Sequence, residues 1–488
     1  MVKPNIIYIL ADDMGYGDIS CLNEKAGFQT PELDRLCRES MRFSDAHASS
    51  AVCTPSRYSI LTGRYCWRSM LKRDVLKGYD IPIIEDGRTT VASFLQEKGY
   101  KTYCIGKWHL GLNYTLKDEN DKYSVDYEKP LIKGPTDFGF DYFYGIPTSL
   151  DMPPYVYIEN KKIDGVPDRV TGNWWNKGNS YNKEIFREGP TGSNFHHHEV
   201  LDNFTDRALN IINENKDNPF FLYFPLTAPH TPILPSPKFK GKSGTNAYGD
   251  FVLMCDDIVG KINSRIKELG IEENTIIIFT SDNGCSPRAD YPELAQYGHN
   301  PSYVFRGTKF DIFDGGHRVP FIVKWKNKIK ENVMNDKTIC LMDLFATVKG
   351  LFGETLLDNE GEDSVSNLPV WLSDNDYRIE DYREALVHHS VNGSFSIRKG
   401  NMKLILCPDS GGKSDPLPGD TPAHYPKMQL YNMDSDVRER VNLINEKPEI
   451  KDELLRVMIG YMKNGRSTPG KPQKHTPANA SFEAQVYS

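Results

Sequence analysis

The chain has 488 residues, enough for two to four domains at roughly 100–200 residues each and for a large buried core. Its formal charge is −7, with 26% charged and 39% hydrophobic residues, so bulk charge gives no support to nucleic-acid binding and the composition argues against disorder. No run of eighteen apolar residues occurs, which excludes a membrane-spanning helix, and no signal-peptide pattern precedes the first apolar segment. Residues 5–10 are a short β-branched and aromatic run ending in Ala11-Asp12-Asp13, and read as a buried strand with two acids at its carboxyl end. Thr89 is placed to cap a helix through Lys98 with Gly99 stopping it, and residues 100–105 then read as a second strand ending at Gly106-Lys107. Leu201, Phe204, Ala208, Ile211 and Ile212 fall at helical spacing ahead of a strand at 220–226. A helix over 248–269 leads to the isoleucine-rich strand 275–280, and later to a strand at 319–323.

Strands alternating with helices predict an α/β fold, a large, mixed but mostly parallel sheet sandwiched by helices, with ligands bound beyond the carboxyl ends of the strands. From residue 382 the rhythm changes to short strands at 385–389, 395–398, 402–407 and 428–433, followed by a helix at 448–462. This predicts a smaller C-terminal α+β subdomain, so the expected units are 1–365, 382–465 and an extended tail at 466–488. Residues 112–199 read as a long polar insertion, rich in Tyr and carrying Trp174-Trp175. The nine cysteines form no C-x-x-C pair, so neither a disulfide framework nor a structural zinc site is expected.

The sharpest segment is Cys53-Thr54-Pro55-Ser56-Arg57, followed by Leu61-Thr62-Gly63-Arg64; with 9 Cys and 31 Pro in the chain, a chance Cys-x-Pro-x-Arg is rare. Cys285-Ser286-Pro287-Arg288 is a decoy, because its Arg comes one residue early and no Leu-Thr-Gly follows. Asp12, Asp13, Asp282 and Asn283 are oxygen donors at the ends of two different strands, a set that suits calcium or magnesium rather than zinc or iron. Three more segments stand out: Gly106-Lys107-Trp108-His109-Leu110-Gly111, Ala228-Pro229-His230-Thr231-Pro232, and Arg306-Gly307-Thr308-Lys309 with Gly315-Gly316-His317-Arg318-Val319-Pro320 behind it. Two Lys and two His among these segments can set cations around the oxygens of an anion and supply a proton to a leaving group. Gly15-Tyr16-Gly17 lacks the third glycine of a dinucleotide turn, with Ser20 in its place, and Gly412-Lys413-Ser414 lacks the earlier glycine of a phosphate loop. His196-His197-His198 reads as an exposed polar loop.

Together these segments resemble the motifs of type I sulfatases, in which the signature cysteine is oxidised after synthesis to formylglycine. The resemblance spans roughly the first 350 residues and implies the alkaline-phosphatase-like fold, with a smaller subdomain closing over the metal site. It implies one divalent cation, calcium with magnesium as the alternative, held by Asp12, Asp13, Asp282, Asn283 and the residue made from Cys53. By the same resemblance the hydrated aldehyde is the nucleophile, Arg57 steadies it and Asp282 accepts its proton. His230 is then the general acid, Lys107 and Lys309 neutralise the sulfuryl oxygens, and His109 removes a proton from the second hydroxyl to release sulfate. Ser149, in Gly145-Ile146-Pro147-Thr148-Ser149, matches a family position that contacts the sulfate or the diol, and His317 is expected to be structural.

The family also implies a formylglycine-generating or anaerobic sulfatase-maturating enzyme as partner, and favours a periplasmic or extracellular location. Aromatic and hydrogen-bonding residues of the insertion, with His388, His389 and His424 of the subdomain, are expected at the pocket mouth and favour a sulfated carbohydrate substrate. Residues 387–395 resemble a stretch of bacterial sulfatases acting on glycosaminoglycan or algal sugars, which points to a 6-O-sulfated galactose or N-acetylgalactosamine at a chain end. Two alternatives are a phosphonate monoester or phosphodiester hydrolase of the same superfamily, and a non-catalytic protein that binds sulfated glycans.

Overall fold

Ile6-Ile7-Tyr8-Ile9-Leu10 is apolar on both of its alternating faces, which suits a strand covered from both sides. In the computed structural model, which describes residues 3–172, 174–175, 185–373 and 383–475, Asn5–Asp12 is the fifth strand of a ten-stranded sheet and every one of its residues is buried. It pairs in parallel with Phe220–Pro229 on one side and Thr275–Ser281 on the other. Lys101–Lys107 and Tyr142–Ile146 continue the parallel run, while Phe321–Trp325 joins Thr275–Ser281 antiparallel, so the sheet is mixed and mostly parallel at its centre. Ile7 and Ile9 face a core built with the helices Pro31–Arg38, Val200–Glu214 and Ala247–Glu268. Ile6, Tyr8 and Leu10 face a second core with Cys53–Thr62, Val91–Glu97 and Leu344–Leu351. Because the four central strands are parallel to Asn5–Asp12, their carboxyl ends meet at one edge of the sheet.

The strand expected at 220–226 continues to Pro229. Pro225 has no N–H to give to a neighbour, and the register against Asn5–Asp12 shifts between Leu10 and Asp12 where it passes. On the other side Gly106 takes φ +128°, and a Cβ there would lie 1.9 Å from the Pro225 carbonyl oxygen. Only glycine lets the two strands approach at this point. We expect Gly106→Ala to lower stability by about 2–4 kcal/mol, read from urea unfolding midpoints, and to lower activity with it because Lys107 is the next residue.

The helix expected from Thr89 starts at Val91 and is capped by Thr90, whose Oγ1 accepts the Ser93 amide at 3.0 Å while the Ser93 hydroxyl accepts the Thr90 amide in return at 2.9 Å. Residues 112–199 are not simply an inserted loop. Tyr142–Ile146, Tyr157–Glu159 and Lys162–Asp164 extend the central sheet, and Tyr144, Tyr155 and Tyr157 are packed into its core. Cys21 and Cys37 form a disulfide, contrary to the expectation from cysteine spacing, because the Pro31–Arg38 helix brings two residues sixteen apart together. The other seven cysteines are free and buried.

In the C-terminal part, Leu386–His389, Phe395–Lys399, Met402–Ile405 and Gln429–Asn432 form a sequential antiparallel sheet packed against the helix Pro448–Asn464. Its first strand is tied to the segment just before Cys53, where the Ala51 amide and the Ser50 hydroxyl both donate to the His389 carbonyl at 3.0 and 3.1 Å. Residues 466–475 run back over the larger part, with Arg64 donating to the Lys474 carbonyl at 2.9 Å. Among the described residues no helix is long and apolar enough to cross a membrane.

Candidate active site

The sheet edge collects the polar strand ends. Asp12 closes the central strand, and Asp13 turns away from it with φ +67°. Its amide donates to Asp282 Oδ1 at 3.3 Å, and Asn283 Nδ2 donates to Asp13 Oδ1 at 2.7 Å, which locks the ends of two adjacent strands together. Cys53 is the first residue of the helix Cys53–Thr62, entered from an extended Val52. All ten residues of that helix are buried, so it shows no amphipathic pattern and its hydroxyls turn inward onto backbone, as Ser56 does onto the Ser50 carbonyl. One turn after Cys53, Arg57 donates to Asp282 Oδ2 through Nε and Nη2 at 2.9 and 2.8 Å and to the Lys107 carbonyl through Nη1 at 2.9 Å. A single guanidinium thus fixes the helix to two strand ends.

Around Cys53 Sγ lie Asp12 Oδ1 at 3.6 Å and Lys309 Nζ at 3.3 Å. Lys107 Nζ donates to Asp12 Oδ2 at 2.6 Å, Lys309 Nζ to Asp13 Oδ2 at 2.7 Å, and His230 Nε2 lies 3.5 Å from Asp13 Oδ2. Lys309 comes from a loop rather than a strand end, held by its amide on the Cys285 carbonyl at 2.8 Å. His109, at φ +59°, bonds through Nε2 to the Leu76 carbonyl at 2.8 Å, and its buried Nδ1 has no protein partner. A neutral imidazole that donates from Nε2 keeps its lone pair on Nδ1.

The electrostatics follow from burying three carboxylates with three strong cations. Burial raises the Asp12 carboxyl, but Lys107, His230, Arg57 and Lys309 together outweigh it and hold Asp12 well below the usual carboxylate range. Burial, then the charge of Asp12, push Asp282 up to about 7 despite Arg57. Burial pushes the Cys53 thiol up to about 12, which leaves it protonated at neutral pH and a poor nucleophile.

Asp12, Asp13, Cys53 and His230 each offer a ligand atom within 4.8 Å of the others. Asn283 Oδ1 is buried and has no partner, the one atom of the amide left over once Nδ2 is committed to Asp13. Hard oxygen donors and an orphaned amide oxygen fit a divalent cation.

Ser149 lies in the turn after Tyr142–Ile146 at the same edge, and its buried Oγ also lacks a protein partner. Asp151, two residues on, pairs with Arg187 through Oδ2 while its Oδ1 has none; neither residue carries a motif. His388 and His389 do not line a pocket mouth, since both are buried, their strand lying against the larger part instead of facing solvent. His424 is exposed beside Tyr425. Trp174–Trp175 form a short strand with Ile185–Phe186, and their side chains lie outside the described residues. His196 and His198 are exposed, whereas His197 packs between Tyr155, Phe186 and Phe195. The glycines of the false dinucleotide turn serve packing, because a Cβ on Gly15 or Gly17 would lie 2.2 Å from the carbonyl oxygen of Pro301 or Asn300. The false phosphate loop is held by Asp311, which accepts the Lys413 and Ser414 amides at 2.7 and 3.1 Å.

The Sulfatase family model matches residues 4–354. The chain belongs to the sulfatase family. It is 33% identical to the N-acetylgalactosamine-6-O-sulfatase of Bacteroides thetaiotaomicron over 93% of this chain and 92% of that one. Arylsulfatase G of Mus musculus is 29% identical over 93% of this chain and 85% of its own length. A solved 6S-sulf structure described with the glycosaminoglycan metabolism of Bacteroides thetaiotaomicron superposes with a TM-score of 0.81 at 31% identity, covering 94% of this chain and 99% of that one. The chain is therefore a sulfuric ester hydrolase on the alkaline-phosphatase-like fold, and membership implies a metal and a formylglycine made from the signature cysteine.

Proposed function

We propose that this sulfatase removes 6-O-sulfate from N-acetylgalactosamine or galactose at the chain ends of sulfated glycans, using formylglycine derived from Cys53 and a calcium ion. The observation that carries the reading is the convergence of Cys53, Lys309, Lys107 and His230 on the Asp12–Asp13 carboxylates at the sheet edge. The substrate class draws on the similarity to the bacterial N-acetylgalactosamine-6-O-sulfatase, which extends through more than nine-tenths of both chains. Once in place, the aldehyde hydrate supplies an oxygen nucleophile at position 53, and the cation stabilises negative charge there.

The chain's own residues do the rest. Lys309 and Lys107 neutralise the non-bridging oxygens of the sulfate, with Lys309 already within 3.3 Å of the position 53 side chain. Arg57 holds the helix that carries residue 53 against Asp282 and the Lys107 backbone, so the nucleophile and both lysines keep one geometry. His230 is anchored through Nδ1 to the Thr231 carbonyl and presents Nε2 toward the cluster, from where it protonates the departing sugar oxygen so that it leaves as a hydroxyl. His109, with its lone pair on Nδ1, accepts the proton that frees sulfate. The Ser149 hydroxyl, which has no protein partner, is available to donate to the sulfate, and Asp151 Oδ1 to accept from a sugar hydroxyl.

The test compares kcat/KM on 6-O-, 4-O-, 3-O- and 2-O-sulfated monosaccharides, an activated aryl sulfate and the matching phosphate ester. Preference for the 6-O-sulfated sugar by about 100-fold or more is expected, since a site shaped to hydrogen-bond the sugar leaves its polar groups unpaired with the wrong isomer. In His230→Ala the loss is about 10²–10⁴-fold on sugar sulfates and far smaller on the aryl sulfate, whose leaving group needs no proton. Better turnover of the aryl sulfate than of any sugar would refute the carbohydrate reading, and equal losses on both substrates would remove His230 as the acid.

A further inference from the structure

Outside the active site, a second set of histidines meets where the two parts of the chain join. His47 ends the short strand Ala46–His47, His317 closes the short helix Asp314–His317, and His388 stands on the first strand of the C-terminal sheet. All three are fully buried. His47 Nδ1 and His317 Nδ1 are 3.0 Å apart, and the His317 and His388 rings stack with centroids 3.7 Å apart. Each ring offers a nitrogen within 4.8 Å of the other two. His388 Nε2 is buried with no hydrogen-bond partner, a costly arrangement unless something fills it.

The outward nitrogens are already committed. His47 Nε2 donates to Asp45 Oδ1 at 2.8 Å, His317 Nε2 lies 3.2 Å from the Ile312 carbonyl, and His388 Nδ1 lies 3.2 Å from Ser396 Oγ. His47 Nδ1 accepts from His317 Nδ1 at 3.0 Å, so a bound metal would take the place of that proton, while His388 Nε2, with Nδ1 donating to Ser396, offers a lone pair directly. A carboxylate, a carbonyl and a hydroxyl behind three imidazoles is the outer shell that metal-binding histidines use to fix their tautomers.

We propose that His47, His317 and His388 form a second metal site, taking a divalent transition ion of the zinc type and joining the catalytic part of the chain to its C-terminal sheet. Three imidazoles with no carboxylate or thiolate among them select zinc-like ions over calcium, the reverse of the preference at the Asp12–Asp13 edge. A tetrahedral zinc with Zn–N of about 2.0–2.1 Å sets its nitrogen ligands about 3.3 Å apart and lies in the plane of each imidazole, so His388 must turn out of its stack on His317 to bind it. The cations nearby are balanced. Lys403 pairs with Asp314 and Glu439 at 2.7 and 2.8 Å, Arg398 with Asp45 at 2.9 Å, and Arg318 with Asp314 at 2.7 Å and with Asp45. Lys403 Nζ also reaches His317 Nε2 at 3.3 Å and Arg398 Nη1 reaches His47 Nε2 at 3.4 Å, each weaker than the carboxylate pairs they already make. A cavity of about 520 Å³ lined by Asp45, Thr338 and Arg398 gives access from solvent to the residue behind His47.

The test uses the full-length protein, stripped with chelator, returned to saturating calcium, incubated with zinc and dialysed. Elemental analysis should then find about one zinc per chain alongside calcium, with a rise in melting temperature. His47→Ala and His388→Ala should each lose the zinc, keep the calcium and show no zinc-dependent rise, and cobalt in place of zinc should give d–d absorption bands that vanish in both variants. Should those variants fail to fold, His388→Gln, which keeps most of the volume, takes their place, and the wild-type measurement stands by itself. Wild-type protein that retains no zinc in calcium overturns the proposal and leaves a hydrogen-bonded histidine stack. Zinc that survives the histidine variants but is lost in Asp12→Asn belongs to the catalytic edge and overturns it equally.

Discussion

Replacing Cys53 by alanine is expected to reduce sulfate-ester turnover on the order of 10⁴–10⁶-fold, the scale seen when a covalent nucleophile is removed from an otherwise intact site. The same side chain, left unmodified, is expected to be almost as inactive. Its thiol is buried and pushed up to about 12, so the thiolate is a vanishing fraction at neutral pH. Position 53 nevertheless sits where a nucleophile must, at the start of a helix with Lys309 on one side and Asp12 on the other. Oxidation to the aldehyde removes this obstacle, since the hydrate is an oxygen nucleophile. Peptide mass spectrometry of active enzyme should show a loss of about 18 Da on the peptide containing Cys53. Specific activity across preparations should rise in proportion to the modified fraction. Full turnover by protein that is entirely unmodified would end the assignment.

Much of this site is legible in the sequence, because parallel strands place their carboxyl ends together. Asp12-Asp13, Lys107, His230 and Asp282-Asn283 each follow a short apolar run, and the pattern of runs is enough to collect them at one edge. Lys309 is different. It stands on a loop with no strand before it, and only the Arg306-Gly307-Thr308-Lys309 motif marks it. The roles of single atoms are not legible at all. That His109 donates from Nε2, and that Asn283 is left with an unpaired Oδ1, depends on Leu76 and Asp13, which pattern cannot pair with them.

The elements that escape the sequence share a cause, which is that their partners are distant or their chemistry is unremarkable locally. His47 and His317 are 270 positions apart, and neither lies in a metal-ligand spacing. His388 and His389 look like pocket residues in isolation; they are buried because the strand carrying them pairs with the segment before Cys53. Cys21 and Cys37 meet only because the chain folds back after Pro31. The strand expected at 220–226 runs on to Pro229, its register shifting past Pro225 where Gly106 opposite has no side chain to obstruct it.

Removing the divalent cation from the catalytic edge is expected to abolish turnover without unfolding the protein. Lys107 and Lys309 already pair with Asp12 and Asp13 at 2.6 and 2.7 Å, and Arg57 with Asp282, so none of the three buried carboxylates is left without a partner. The same pairs explain why the loss is catalytic. With no cation present, the two lysines are drawn onto carboxylates and away from the sulfuryl oxygens they are proposed to neutralise. Chelator-treated enzyme should therefore keep its circular dichroism while kcat/KM falls by about 10³-fold or more, and calcium or magnesium should restore it better than zinc, since the donors are hard oxygens. Asp282→Asn should resist restoration. The substitution removes a formal charge from an edge whose remaining carboxylates are both engaged by lysine, and it weakens the anchor that Arg57 uses to hold the helix of Cys53. A calcium titration should show the restoring concentration shifted upward by about tenfold or more in this variant. Restoration at the wild-type concentration would mean that Asp282 is no ligand and serves only as the anchor for Arg57.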